Sequence, residues 1–173
     1  MRDTGAVAVT PSDDGVAFAS FVAAVEPILR RALVAAYGAE LGREATADAL
    51  AWAWQHWSRV RGMKNPAGYL WRVGQTAVRS ATRRRRRERH GLVVIDSRAD
   101  SRGADAAPVV EPALAAALGD LSPQQRAAVV LVHGYGCTLA EAAESLGCSV
   151  STVRNHVARA LRHLRASLEV TDV

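Results

Sequence analysis

Between Thr138 and Leu168 the sequence carries a helix, a glycine stop and a second helix, and no other segment restricts the fold as tightly. Thr138-Leu139-Ala140-Glu141 has the form of a capping box, in which hydroxyl and carboxylate each satisfy an amide at a helix start. Ala142 and Ala143 are small enough for another helix to approach closely. Leu146 supplies an apolar anchor, and Gly147 suits the left-handed backbone that ends a helix. Cys148 takes the turn position where an apolar plug is expected, and Val150 and Val153 resume the core. The second helix is expected to begin near Ser149 or Ser151, with Val153, Val157, Leu161, Leu164 and Leu168 as its buried stripe. This is the sequence shape of a helix-turn-helix, whose second helix lies in a DNA major groove.

The first half of that second helix carries Ser151, Thr152, Arg154, Asn155, His156 and Arg159 around its other faces. These side-chain types reach base edges: Arg pairs with guanine, Asn with adenine, and Thr touches a thymine methyl. Arg162 and Arg165, further along, are expected to meet phosphates. His156 has no partner at a metal-ligand spacing, so it is expected to be a surface polar residue near DNA.

The rest of the chain also reads as helix. Ser122-Pro123-Gln124-Gln125 is a second capping signal, with Pro at the first helical position. The helix it opens is apolar through Ala127, Val130 and Leu131 and is expected to end at Gly134 and Gly136. Upstream, Phe18, Phe21, Val22, Val25, Leu29 and Leu33 share a face of a helix over Phe18–Tyr37, which Pro27 is expected to kink or divide. A second helix over Ala45–Val60 places Ala49, Leu50, Ala53, Trp54 and Trp57 on its apolar side, with Trp52 nearer an edge. Asn65-Pro66 marks the start of a third, running into the arginine run with Leu70, Val73 and Ala77 inward. The fold class is therefore all-α: two small helical domains joined by a flexible linker, the C-terminal one a helix-turn-helix. The expected boundaries are a disordered tail at 1–15, a helical domain at 16–87, a linker at 88–112, the helix-turn-helix domain at 113–168 and a short tail at 169–173. Gly91, Gly103, Pro108 and Pro112 among scattered Asp and Ser mark the linker, since so long a structureless stretch seldom lies inside one domain.

Charge narrows the partner. The net charge is +5, and from Arg59 to Arg89 there are eleven basic residues against one acid, Glu88. From Arg154 to Arg165 there are four arginines and no acid. Two separated basic segments suit a long anionic ligand. The run Arg83–Arg87 alone is open to three readings: a solvated charge run, a targeting tract or a phosphate-binding edge. It ends a helix bearing Tyr69 and Trp71, and basic residues beside aromatics suit single-stranded DNA. Cys137 and Cys148 form no CxxC pair or disulfide framework. No nucleotide-binding glycine loop, metal-ligand cluster or nucleophile–base pair is visible. The chain is therefore expected to be no enzyme, with no catalytic residue, metal or cofactor. Without a signal-peptide pattern in Met1–Gly15 or an apolar run of spanning length, a cytoplasmic protein without membrane contact is expected.

The order of these parts resembles the extracytoplasmic-function subfamily of bacterial sigma factors. Leu121–Arg126, Thr138–Gly147 and Ser151–Arg154 are similar to that family's region four. Ala53–Trp57, Asn65–Val73 and the arginine run resemble its region two. The resemblance implies a protein that binds the RNA polymerase core enzyme and directs promoter recognition, strand opening and initiation, without bond chemistry of its own. By it, the helix around Glu44–Trp57 contacts polymerase through Glu44 and Asp48, where Ala47-Asp48 stands in place of the family's common Gln-Glu. The helix from Pro66 to Arg87 holds the melted minus-ten element, through Tyr69, Trp71, Arg72, Gln75, Thr76, Arg79, Arg83 and Arg84. The Ser149–Arg165 helix reads the minus-thirty-five element in promoter DNA. Many relatives are controlled by an anti-sigma protein, which makes such a partner an expectation. The alternative is a regulator of the response-regulator output type, whose recognition helix Ser149–Val157 also resembles. Its receiver domain would show alternating strands and helices with paired acids, and the N-terminal half shows none.

Overall fold

The computed structural model of the chain describes residues 13–90 and 111–169. All regular structure among them is helical, as the periodicity implied: α1 (Asp13–Tyr37), α2 (Ala39–Gln55), α3 (Trp57–Val60), α4 (Pro66–His90), α5 (Pro112–Gly119), α6 (Pro123–Val129), a π-helical turn (Val130–Gly134), α7 (Leu139–Leu146) and α8 (Val150–Glu169). Helical structure thus begins at Asp13, inside the expected tail, and α4 and α5 extend into both ends of the expected linker. Residues 1–12, 91–110 and 170–173, the rest of both tails and nearly all the rest of the linker, lie outside the described residues.

Helix α1 opens with Asp13 and Asp14, acids that complement the positive end of the helix dipole. Pro27 lies within it, yet α1 is one helix and is not divided. It turns at Gly38, whose φ of 85° is a left-handed conformation few residues other than glycine adopt. Helix α2 folds back on α1 at close range. A Cβ on Gly42 would stand 2.5 Å from the Val34 Cα and nitrogen, so only glycine permits the approach. Ala45, Ala49 and Ala53 continue the seam one turn apart and are buried. The helix expected over Ala45–Val60 therefore starts earlier, at Ala39, and breaks at His56, whose ring nitrogen Nδ1 lies 2.9 Å from the Trp52 carbonyl.

Asn65 caps α4 as read: its Oδ1 accepts from the Gly68 amide at 2.8 Å. Leu70 is fully buried, while Val73 and Ala77 are half-buried. Two tryptophans depart from expectation. Trp71 is 2% exposed beside Tyr37, because α4 lies between α2 and α7 and buries more than one stripe. Trp54 is 51% exposed, because the alanine seam takes the inward face of α2 and leaves its ring on the outer side against Phe18.

In the C-terminal half both capping boxes are closed in full, Ser122 with Gln125 and Thr138 with Glu141. Gly147 ends α7 at φ 61°, ψ 38°. The helix opened by Pro123 widens into the π-helical turn, where the Tyr135 amide donates to the Val130 carbonyl. Val153, Val157 and Leu164 are buried along α8, with Ala160 completing the stripe and Leu161 and Leu168 half-buried. Leu29, Leu33 and Leu70 from the first half share one hydrophobic core with Ala128, Leu131, Leu146 and Val153 from the second.

Candidate nucleic-acid interface

Helix α8 begins at Val150 under a hydroxyl cap. Ser149 Oγ accepts from the Thr152 amide at 3.1 Å and lies 2.8 Å from both the Ser151 and Thr152 hydroxyls. Ser151, Arg154, Asn155 and Arg159 are exposed, and Thr152 and His156 half-buried. With Val153 and Val157 anchored in the core, these residues stand on the outer side of a rigid helix whose N-terminal end favours anions. Burial, and then the neighbouring Arg159, holds the His156 imidazole below its ordinary pKa, so the ring is neutral at pH 7. Arg162 and Arg165 are exposed further along.

The residues expected on α4 divide. Arg72, Thr76, Arg79, Arg83 and Arg84 are exposed. Tyr69 is half-buried, and so is Gln75, whose side chain hydrogen-bonds with Tyr37. Trp71 belongs to the core and offers no face to a DNA strand in this structure. In its place stands a group that sequence reasoning did not assemble. Trp52 stacks on His56 at 4.2 Å between ring centroids, Trp52 and Tyr69 lie 5.1 Å apart, and the Arg59 guanidinium sits 5.9 Å from the Tyr69 ring. The four-residue spacing of Trp52 and His56 was a visible signal; the return of Tyr69 to meet them was not. Aromatic faces edged by cations are what unpaired bases stack on.

Glu44 and Asp48 lie one turn apart on α2, Glu44 half-buried and Asp48 exposed. Glu44 faces the arginine run: Arg85 approaches it at 3.4 Å and Arg84 at 3.9 Å, while Arg85 also bonds Glu40 at 2.8 Å. Part of the run therefore packs on α2, and Arg83, Arg86 and Arg87 are exposed. Burial holds the Cys148 thiol above its ordinary pKa, opposed by Arg72, and does the same for Cys137, so both are protonated at neutral pH. Among the described residues no group of His, Cys, Asp and Glu side chains could hold a metal ion. No helix among them is long and apolar enough to cross a membrane.

A capped helix, a left-handed glycine and a basic recognition helix define the C-terminal half as a helix-turn-helix DNA-binding unit, and residues 112–164 match the family described as Sigma-70, region 4. The whole chain is similar in structure to the sigma factor RpoE of Bartonella quintana, solved in complex with the anti-sigma factor NepR. The TM-score is 0.60 at 27% identity, over 89% of this chain and 98% of that one. No curated protein matches the sequence. Residues 112–164 thus carry a sigma region-four unit, and the likeness to a sigma factor runs through both halves of the chain. The response-regulator alternative is not favoured.

Proposed function

We propose that this chain carries the RNA polymerase core enzyme to promoters in the cytoplasm by binding alone, with its two basic surfaces dividing the work. Helix α8 reads the minus-thirty-five duplex through Ser151, Thr152, Arg154, Asn155, His156 and Arg159. The opened minus-ten strand lies along α4, with Tyr69, Trp52, His56 and Arg59 offering stacking faces and Arg72, Thr76, Arg79 and Arg83 facing the backbone. Gln75 acts by positioning Tyr37 and α4. Glu44 and Asp48 meet polymerase, and Glu44 exchanges its hold on Arg84 and Arg85 for a partner's cation. The relative's NepR complex supports a further expectation, that an anti-sigma protein controls this chain.

The observation that carries the reading is the exposed polar N-terminal face of α8, backed by an anchored apolar stripe, in a chain whose other half presents a second basic helix. The mechanism is differential binding: the protein favours polymerase on a specific sequence, and it holds a strand that would otherwise re-pair. The full chain is expected to pull down core polymerase and to start transcription from a subset of a promoter pool. Glu44→Lys with Asp48→Lys should weaken the pull-down at unchanged helicity, since solvent-reached ion pairs like those of the half-buried Glu44 contribute only about 0–1 kcal/mol to folding. Undiminished affinity in the double variant moves the contact elsewhere.

A further inference from the structure

Four aromatic rings gather where the start of α1 meets the end of α2 and α3. Phe18 lies 4.9 Å from Trp54 and 5.2 Å from Trp57 between ring centroids, and Phe21 lies 5.2 Å from Trp57. Two features leave this cluster incomplete. Trp54 is 51% exposed, so one face of the cluster is uncovered. The Trp57 indole N–H is buried and has no acceptor among the described residues, although a buried indole N–H ordinarily finds one.

Residues 1–12 join the described chain beside this face. Helix α1 begins at Asp13, and the next residue, Asp14, accepts from Arg61 at 2.8 Å, just past α3. Asp14, Phe18 and Phe21 are spaced by four and three residues and share one face of α1. Phe18 lies five residues into the helix from Asp13, which is about 7.5 Å of rise. Val9 precedes Asp13 by four residues and Val7 by six. Extended chains of those lengths span about 13 Å and about 20 Å, enough to turn back onto the rings. The chemistry of the segment fits the face as well. Ala6-Val7-Ala8-Val9 is an uninterrupted apolar run between Gly5 and Thr10-Pro11. Valine favours extended backbone, and so does a residue before proline, here Thr10. Extended backbone puts Val7 and Val9 on one side, and every residue of the run carries a carbonyl that can accept.

We propose that this segment is an N-terminal strap: Val7 and Val9 lie across Trp54 and Phe18, and a carbonyl of the run accepts from the Trp57 indole. Part of the expected disordered tail then covers the aromatic cluster and ties the start of α1 to α2. The strap does not depend on the sigma-factor reading.

Two measurements on the full chain test it. In the wild type, nuclear Overhauser contacts should join the Val7 and Val9 methyl groups to the Trp54 ring. In Val7→Ser with Val9→Ser, hydroxyl-radical labelling of Trp54 should rise several-fold at unchanged helicity, and the Trp57 indole proton should exchange several-fold faster. Labelling of Tyr135, which stands against Arg31 towards the other end of α1, should not change. If the double variant loses helicity, the Overhauser contacts of the wild type decide. Absence of those contacts, or equal Trp54 labelling in the two folded chains, overturns the strap. Trp54 protection that survives the substitutions but fades on dilution gives the face to a second copy of the chain and overturns it too.

Discussion

Helix α7 is started by side chains within four residues of the amides they satisfy and stopped by the left-handed backbone of Gly147, whereas the α1–α2 hairpin closes through a contact between Gly42 and Val34, on two different helices. At Thr138 the amide donates to the Glu141 carboxylate at 2.8 Å, and the Glu141 amide donates to the Thr138 hydroxyl at 3.2 Å. At Gly42 no side chain acts; what matters is its absence. The first kind of instruction is local and redundant, so losing one cap shortens a helix. The second is steric and unforgiving, so one added methyl group separates two helices. The difference suits the functions proposed for the halves: α8 needs a firmly anchored end to read a sequence, while the first half needs a rigid frame for α4.

That contrast can be broken first at Gly42. Gly42→Ala gains helix propensity, yet its Cβ meets Val34 backbone that cannot rotate away. A net loss of about 1–3 kcal/mol is expected, seen as a lower urea midpoint. A variant as stable as wild type would mean that the hairpin has slack and that the contrast is false.

The cap should cost less. Thr138→Ala should destabilise the chain by about 1 kcal/mol, with the loss greatest in hydrogen-exchange protection of the α7 amides. Equal loss across all helices would show that the cap acts globally rather than on α7.

A smaller effect lies in Glu141, whose carboxyl is held below its ordinary value of 4.5 by the Thr138 amide and then by the Thr138 hydroxyl. A depressed carboxylate stabilises the fold above its unfolded pKa, and that contribution is lost as pH falls through the folded value. Carboxyl NMR should find Glu141 titrating below 4.5 in the wild type and moving upward in Thr138→Ala; an identical titration in both would remove the hydroxyl from the cap.

The same contrast explains what was legible in the sequence. Asn65-Pro66, both capping boxes and the left-handed Gly147 are short-range patterns that stand in the structure as read, and so do Val153, Val157 and Leu164 of the α8 stripe. The break at His56, the burial of Trp71 and the exposure of Trp54 depend on which helix lies opposite, and periodicity along one helix carries no such information. Leu70 and Trp71 are adjacent and both apolar; only the packing of α2 on one side of α4 and α7 on the other makes both of them core. Nor does composition show that Asn65 meets Glu144, or that Arg85 faces Glu44 rather than solvent. The exposed residues of α8 were legible because their neighbours are anchored by a local pattern. The grouping of Trp52, His56, Arg59 and Tyr69 was not, because it needs the chain to return.

Helix α8 is proposed to read sequence while the arginine run grips backbone. Promoter binding across a set of single-base-pair variants, titrated with salt, tests it most directly. Arg154→Ala is predicted to relax discrimination at one or two base pairs in the minus-thirty-five element, costing about 1–3 kcal/mol there and leaving the other positions unchanged. Neutralising Arg83 and Arg87, both exposed, is predicted to weaken binding to every sequence and to flatten the salt dependence, since fewer counterions are released. Arg154→Ala weakening all sequences alike, or an unchanged salt slope after neutralisation of the run, would contradict the account.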